Sequence, residues 1–235
     1  MRISRRCLLS SPSGVVHKYW RCHNRSYHMD ADSIKAMYLD CTKTGLKHKS
    51  SNSQIELHAY CVMDNHSHQV VKYSNGMDNL SNFMRIAHGE FGRRFNHATK
   101  RTGKVANERP KTVVVQDSDH SQMRAQFYVE ANPIRANKRK FENLKLYKFS
   151  SFRFYAFGII DEFTKNLVPP DWYLRLGKTP EERQQKYRSL FQKYLKWTKN
   201  EPFDYLGRFI GEIYWCLEQL EMLRKRTKNA RAGPA

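Results

Sequence analysis

His58-Ala59-Tyr60-Cys61-Val62-Met63-Asp64-Asn65-His66-Ser67-His68-Gln69-Val70-Val71 is the stretch that decides how this chain is read. Two runs rich in β-branched and aromatic residues flank the polar pair Asp64-Asn65, and turn residues of that kind between such runs predict a hairpin. The expected strands cover 55–63 and 66–73. Side chains alternate along a strand, so His66 and His68 face the same way. Two imidazoles at that spacing can share one metal ion. They can equally be two hydrogen-bonded histidines among the ten in the chain.

Upstream of the hairpin, residues 15–22 read as a first strand. Residues 30–44 read as a helix, with Ile34, Met37, Tyr38 and Cys41 at three- and four-residue steps and Gly45 as its stop. Downstream, Asp78 is the expected cap of a helix with Leu80, Phe83, Met84, Ala87, Phe91 and Phe95 on one face; Arg85, Arg93 and Arg94 lie off that stripe. The basic segment 96–111 reads as a loop broken by Gly103 and Pro110, and 112–116 as a short strand. Asp117 or Asp119 is the expected cap of a helix that carries Tyr128 and ends near Asn132-Pro133. The order strand, helix, hairpin, helix, strand, helix suits an α+β fold, an antiparallel sheet with packed helices.

Forty-two Lys and Arg against 22 Asp and Glu give a net charge of +20 on 235 residues. A surplus of that size favours polyanions, nucleic acid first and an anionic membrane surface second. Hydrophobic residues at 40% support a packed core and exclude global disorder. The five cysteines include no Cys-x-x-Cys pair, which suits a reducing cytoplasm and neither a disulfide framework nor a zinc ribbon. The apolar run after Arg2, Arg5 and Arg6 is too short for a secretory signal, and no membrane span is evident. A cytoplasmic, nucleoid-associated protein is the expectation.

Tyr128 and Asn132 stand four apart, one helical turn on the same face. In isolation Tyr128 reads as a core aromatic and Asn132 as a helix-terminal residue. Their second reading is chemical. A phenol with a pKa near 10 is a poor nucleophile unless activated, and a divalent ion on the scissile phosphate supplies much of that activation. Imidazoles with an amide oxygen can hold Mg²⁺ or Mn²⁺ when phosphate completes the shell.

The His58–His68 run followed by Tyr128-Val129-Glu130-Ala131-Asn132-Pro133-Ile134-Arg135-Ala136 resembles the REP-associated tyrosine transposases, the single-tyrosine transposase branch of the His-hydrophobe-His (HUH) endonucleases. Further matching stretches are Phe91-Gly92-Arg93-Arg94-Phe95-Asn96, residues 103–115, and Phe149-Ser150-Ser151-Phe152 with Tyr155. The resemblance covers residues 15–157 and weakens in Pro169-Pro170-Asp171-Trp172 and Thr179-Pro180-Glu181-Glu182-Arg183. It implies a ferredoxin-like or RRM-like sheet, Tyr128 as nucleophile, and His66, His68 and Asn132 as ligands of Mg²⁺ or Mn²⁺. It also implies a substrate: single-stranded DNA with a REP-like palindromic hairpin, cut to a 5′-phosphotyrosine and a free 3′-hydroxyl. The protein partner state is monomer or dimer. Two residues depart from the pattern: Ser67 replaces a hydrophobic residue and is expected to weaken packing beneath the ligands, and Asp64 stands where proline is common.

Basic residues flanking the site in sequence are DNA-contact candidates: Arg85, Arg93, Arg94, Lys100, Arg101, Lys104, Arg109, Arg135, Lys138, Arg139 and Lys140. Tyr19, Trp20 and the exposed aromatics among Phe152, Phe154 and Tyr155 are candidates for stacking on unpaired bases. The expected organisation is a catalytic domain at 1–160, a helical C-terminal extension at 161–225 and a disordered basic tail at 226–235. Two other functions fit the same charge: a non-catalytic nucleic-acid-binding protein on this fold, and a metal-dependent nuclease without a covalent step.

Overall fold

The run Gly14–Arg21 is strand β1, and it lies in the middle of the sheet. The structure, a computed structural model, describes residues 8–9, 11–50, 54–106, 108–198 and 208–232, with side chains as far as 229. After β1 come α1 (Asp32–Lys47), β2 (Ile55–Val62), β3 (His66–Tyr73), α2 (Met77–Ala98) and β4 (Lys111–Val115). Then follow α3 (Asp119–Glu130), a single turn α4 (Asn132–Arg135), α5 (Phe152–Phe157), α6 (Asp171–Leu174) and α7 (Pro180–Trp197). A two-residue strand β5 (Phe209–Ile210) and helix α8 (Ile213–Ala232) complete the described chain.

The strand order is β2-β3-β1-β4-β5. The first four strands are antiparallel to their neighbours, and β5 adds to β4 in parallel. This is the expected ferredoxin-like α+β core with one strand more. The hairpin turn closes with the Met63 amide donating to the His66 carbonyl at 2.8 Å.

Alternation divides the sheet into two faces. Val16, Trp20, Tyr60, Val62 and Val71 point to α1 and α2, where they meet Tyr38, Phe83 and Phe91 in the larger core. Val15, Ala59, Cys61, Val70, Val113 and Val115 point the other way and meet Ala125 and Val129 of α3. So the helix carrying Tyr128 covers the face on which His66 and His68 lie. The β2 edge is covered by later segments, which keeps it from pairing with other chains, and β5 extends the β4 edge. The Val62 carbonyl accepts from the Tyr147 hydroxyl at 2.6 Å, its amide donates to the Phe149 carbonyl at 2.9 Å, and the Val168 amide donates to the Leu57 carbonyl at 2.9 Å. On the opposite edge the Val114 amide donates to Arg208 at 2.8 Å.

Several local expectations are corrected. Gly45 lies inside α1, because a Cβ there would meet the Ala87 Cβ and the Phe83 ring at 3.0 Å; the glycine lets α1 approach α2. Gly76, at φ 102°, is the N-cap residue of α2, and Asp78 falls in the first turn. All six stripe residues of α2 are buried, but the helix runs on to Ala98. Ser118 caps α3, accepting from the Ser121 amide at 3.2 Å, in place of Asp117 or Asp119. Thr179 and Glu182 form a capping box on α7.

The C-terminal segment shares the main core. Phe127 of α3 packs on Tyr187 and Phe191 of α7, with ring centroids 5.1 and 5.2 Å away. Helix α8 continues to Ala232, beyond where a disordered tail was expected to begin; part of the expected helical extension, residues 199–207, lies outside the described residues. No described helix is long and apolar enough to cross a membrane.

Candidate active site

Register sets the site. In the β1–β3 ladder Arg21 stands opposite His66 and Tyr19 opposite His68, and in the β1–β4 ladder Tyr19 stands opposite Lys111. Directly paired residues share a face, so His17, Tyr19, Arg21, His66, His68 and Lys111 form one polar patch at one end of the sheet. Tyr128 reaches this patch from α3. Its ring is edge-on to His68 at 5.7 Å and to His17 at 5.4 Å. All four residues expected to carry chemistry, His66, His68, Tyr128 and Asn132, line one cavity of about 760 Å³.

Asn132 follows the end of α3 at the start of α4, with Pro133 in the first turn, where its missing amide hydrogen costs nothing. The Asn132 Nδ2 donates back to the carbonyls of Tyr128 at 2.9 Å and Val129 at 3.1 Å. Both amide hydrogens are thereby used, and the side chain also contacts the His66 ring. His66 Nδ1 donates to Asn65 Oδ1 at 2.6 Å, so the neutral ring keeps its lone pair on Nε2.

Burial holds all three histidines neutral. The His66 pKa is lowered to about 4 by burial and then by the neighbouring Arg21 cation. Burial lowers His17 to about 3 and pushes His68 well below its ordinary value. Neutral imidazole is the metal-ligating form. Two neutral imidazoles and an amide oxygen converging on one cavity fit a hard divalent cation whose remaining positions are filled by phosphate oxygens. Among the described residues no group of three or more His, Cys, Asp or Glu could hold a metal ion, so a zinc-type closed site is absent there.

The basic candidates divide. Arg109 lines the cavity together with Arg21, Arg25 and Lys111, three residues that the sequence reasoning missed. Arg135 lies over the Tyr128 ring, its Cζ 4.8 Å from the centroid, and donates to the Tyr194 hydroxyl at 2.9 Å. Lys138 donates to Asp64 at 2.7 Å beside the hairpin turn, and Arg139 lies over Tyr147. Arg101 contacts His28 and Phe95; Lys100, Lys104 and Lys140 are exposed. Arg85, Arg93 and Arg94 belong to α2, which packs on the other face; Arg93 is paired with Glu90 and Arg94 with Asp40. Trp20, Phe152 and Tyr155 are core residues, whereas Tyr19 is half-buried at the cavity. Alternation along β1 was the available signal for His17, Tyr19 and Arg21.

Both departures from the motif have partners. The Ser67 hydroxyl points away from the cavity and donates to the Tyr38 hydroxyl at 2.6 Å. Asp64 bridges Lys35 of α1 at 3.0 Å and Lys138 at 2.7 Å, tying the hairpin turn to the segment after Tyr128.

No family model and no curated protein matches the chain. Two solved structures are similar to it. One is a REP-associated tyrosine transposase bound to a REP hairpin, 16% identical, covering 67% of this chain and 86% of that one, with a TM-score of 0.48. The other is a candidate transposase from Deinococcus radiodurans R1, also 16% identical, covering 54% of this chain and 92% of that one, with a TM-score of 0.36.

Proposed function

We propose that this chain is a metal-dependent endonuclease and strand transferase for single-stranded DNA carrying a REP-like hairpin. The observation that carries the reading is the meeting of Tyr128 with His66, His68 and Asn132 in one basic cavity, from two separate stretches of sequence. The phenolic oxygen of Tyr128 attacks the scissile phosphorus. A P–Oη bond forms as the P–O3′ bond breaks; the electron pair leaves on O3′, which takes a proton, while the phenol loses its own to solvent. The product is a 5′-phosphotyrosine and a free 3′-hydroxyl, and attack by a second 3′-hydroxyl reverses the step and joins strands.

His66, His68 and Asn132 would hold the cation. A bound Mg²⁺ or Mn²⁺ supplies polarisation of the phosphoryl group and neutralises charge in the transition state. Arg135, over the Tyr128 ring, helps to fix the nucleophile. Arg21, Arg25, Arg109 and Lys111 line the path for the flanking phosphates, and Tyr19 offers a ring on which an unpaired base can stack.

A labelled hairpin oligonucleotide incubated with Mg²⁺ or Mn²⁺ tests the reading. Cleavage is expected with the cation and absent with chelator, in His66→Ala and in Tyr128→Phe. Cleavage that survives Tyr128→Phe would indicate a hydrolytic nuclease; binding without cleavage by the native chain would indicate a binding protein only.

A further inference from the structure

His17 has no part in the motif, yet it is 1% exposed and stands directly behind His68. Its Nε2 lies 2.8 Å from His68 Nδ1, and the two rings are stacked at 5.0 Å with 16° between their planes. His68 Nδ1 is therefore committed, and only Nε2 of that ring can serve a cation in the cavity. The other nitrogen of His17, Nδ1, is buried and has no hydrogen-bond partner.

A nitrogen-to-nitrogen bond between two neutral imidazoles holds one proton and can run either way. If His17 Nε2–H donates, His68 carries its own proton on Nε2 and offers the cavity no lone pair. If His68 Nδ1–H donates, its Nε2 lone pair is open, and His17 must carry its proton on the unpartnered Nδ1. A buried N–H without an acceptor is costly, so the first arrangement is favoured while the cavity holds no cation. Cation binding requires the second.

We propose that His17 is the positioning residue for His68: it accepts the His68 Nδ1–H when a divalent cation binds, and the pair exchanges tautomers in doing so. The exchange balances. His68 releases its Nε2 proton and takes the shared proton onto Nδ1, while His17 gains one on Nδ1, so two protons are held before and after. A histidine ligand whose second ring nitrogen is held by an outer partner is the usual way a protein fixes ring orientation and basicity at a metal. The inference rests on the cation site proposed above.

The test uses the full chain in the Tyr128→Phe background, where cleavage plays no part. Two-bond ¹H–¹⁵N spectra with and without Zn²⁺, a diamagnetic probe, are expected to move His68 from an Nε2–H to an Nδ1–H form and His17 to Nδ1–H. Titration calorimetry with Mn²⁺ is expected to give an affinity loss of about 10- to 100-fold in His17→Phe. His17→Gln, whose amide oxygen can accept the same hydrogen, should recover most of it. Should His17→Phe fail to fold, the tautomer spectra of the parent chain decide alone. Cation binding with unchanged tautomers would overturn the role of His17 and leave the proposed function standing. No cation binding at all would overturn both.

Discussion

Ser67 and Asp64 are where the chain leaves the pattern it resembles, and at each the side chain finds a partner in the fold. The Ser67 hydroxyl joins a buried polar set behind the sheet, in which Lys18 donates to Gln69 at 2.5 Å and Gln69 to Thr42 at 3.1 Å. Replacing Ser67 by Ala removes a donor from the Tyr38 hydroxyl in a fully buried place. Denaturant unfolding is expected to register a loss of about 1–2 kcal/mol. Because the side chain points away from the cavity, Mn²⁺ affinity should stay within twofold of the parent; a large fall in affinity would mean that the far face controls the ligands. The histidine pair and Tyr128 were legible because their spacing is local. His17 and Arg21 were not, since their place beside His68 and His66 depends on a strand register that no local pattern encodes. Arg94 was misread for a similar reason: its partner, Asp40, lies 54 residues away.

At the scale of elements, the helix that presents Tyr128 is anchored by a buried acid. Glu130, at the end of α3, accepts from Ser151 at 2.5 Å and from Tyr187 of α7 at 2.6 Å. Burial outweighs these bonds and raises its pKa from 4.5 to about 8. Between those values the folded chain keeps a proton that the unfolded chain gives up. The stabilisation is whole below pH 4.5 and is lost as pH rises through 8. With about 1.4 kcal/mol for each pKa unit, the loss is on the order of 5 kcal/mol at most. In Glu130→Gln this slope should vanish. Unfolding free energies measured from pH 5 to 8 test it, and parallel curves for the two proteins would contradict the buried-acid account. The buried face of helix α2 was legible because six apolar residues repeat along it, whereas its cap and its end were not. The cap of α3 was not, because Asp117, Ser118 and Asp119 are all competent caps and only backbone geometry selects Ser118. Strand β5 was invisible: two residues carry no period, and pairing with β4 alone defines them.

For the whole molecule, a net charge of +20 predicts nucleic-acid binding, but the fold distributes that charge unequally. Arg109 lines the cavity, whereas Arg94 is spent in an ion pair on the opposite face of the sheet. Single-strand binding measured across a salt series should therefore lose about 0.7 from the slope of log K against log salt in Arg109→Ala. Arg94→Ala should leave the slope unchanged. Equal effects of both would mean that binding is diffuse and that the cavity does not guide the strand. The extension beyond residue 160 belongs to this same picture, since α7 packs on the tyrosine helix and β5 completes the sheet.

The central claim is that Tyr128 forms the covalent bond. Its most direct test is a peptide map, by mass spectrometry, of the full chain trapped with a hairpin oligonucleotide in Mn²⁺. A nucleotide adduct on the peptide containing Tyr128, absent in Tyr128→Phe, is the expected result. Cleaved DNA with no adduct, or an adduct on any other residue, would contradict the account.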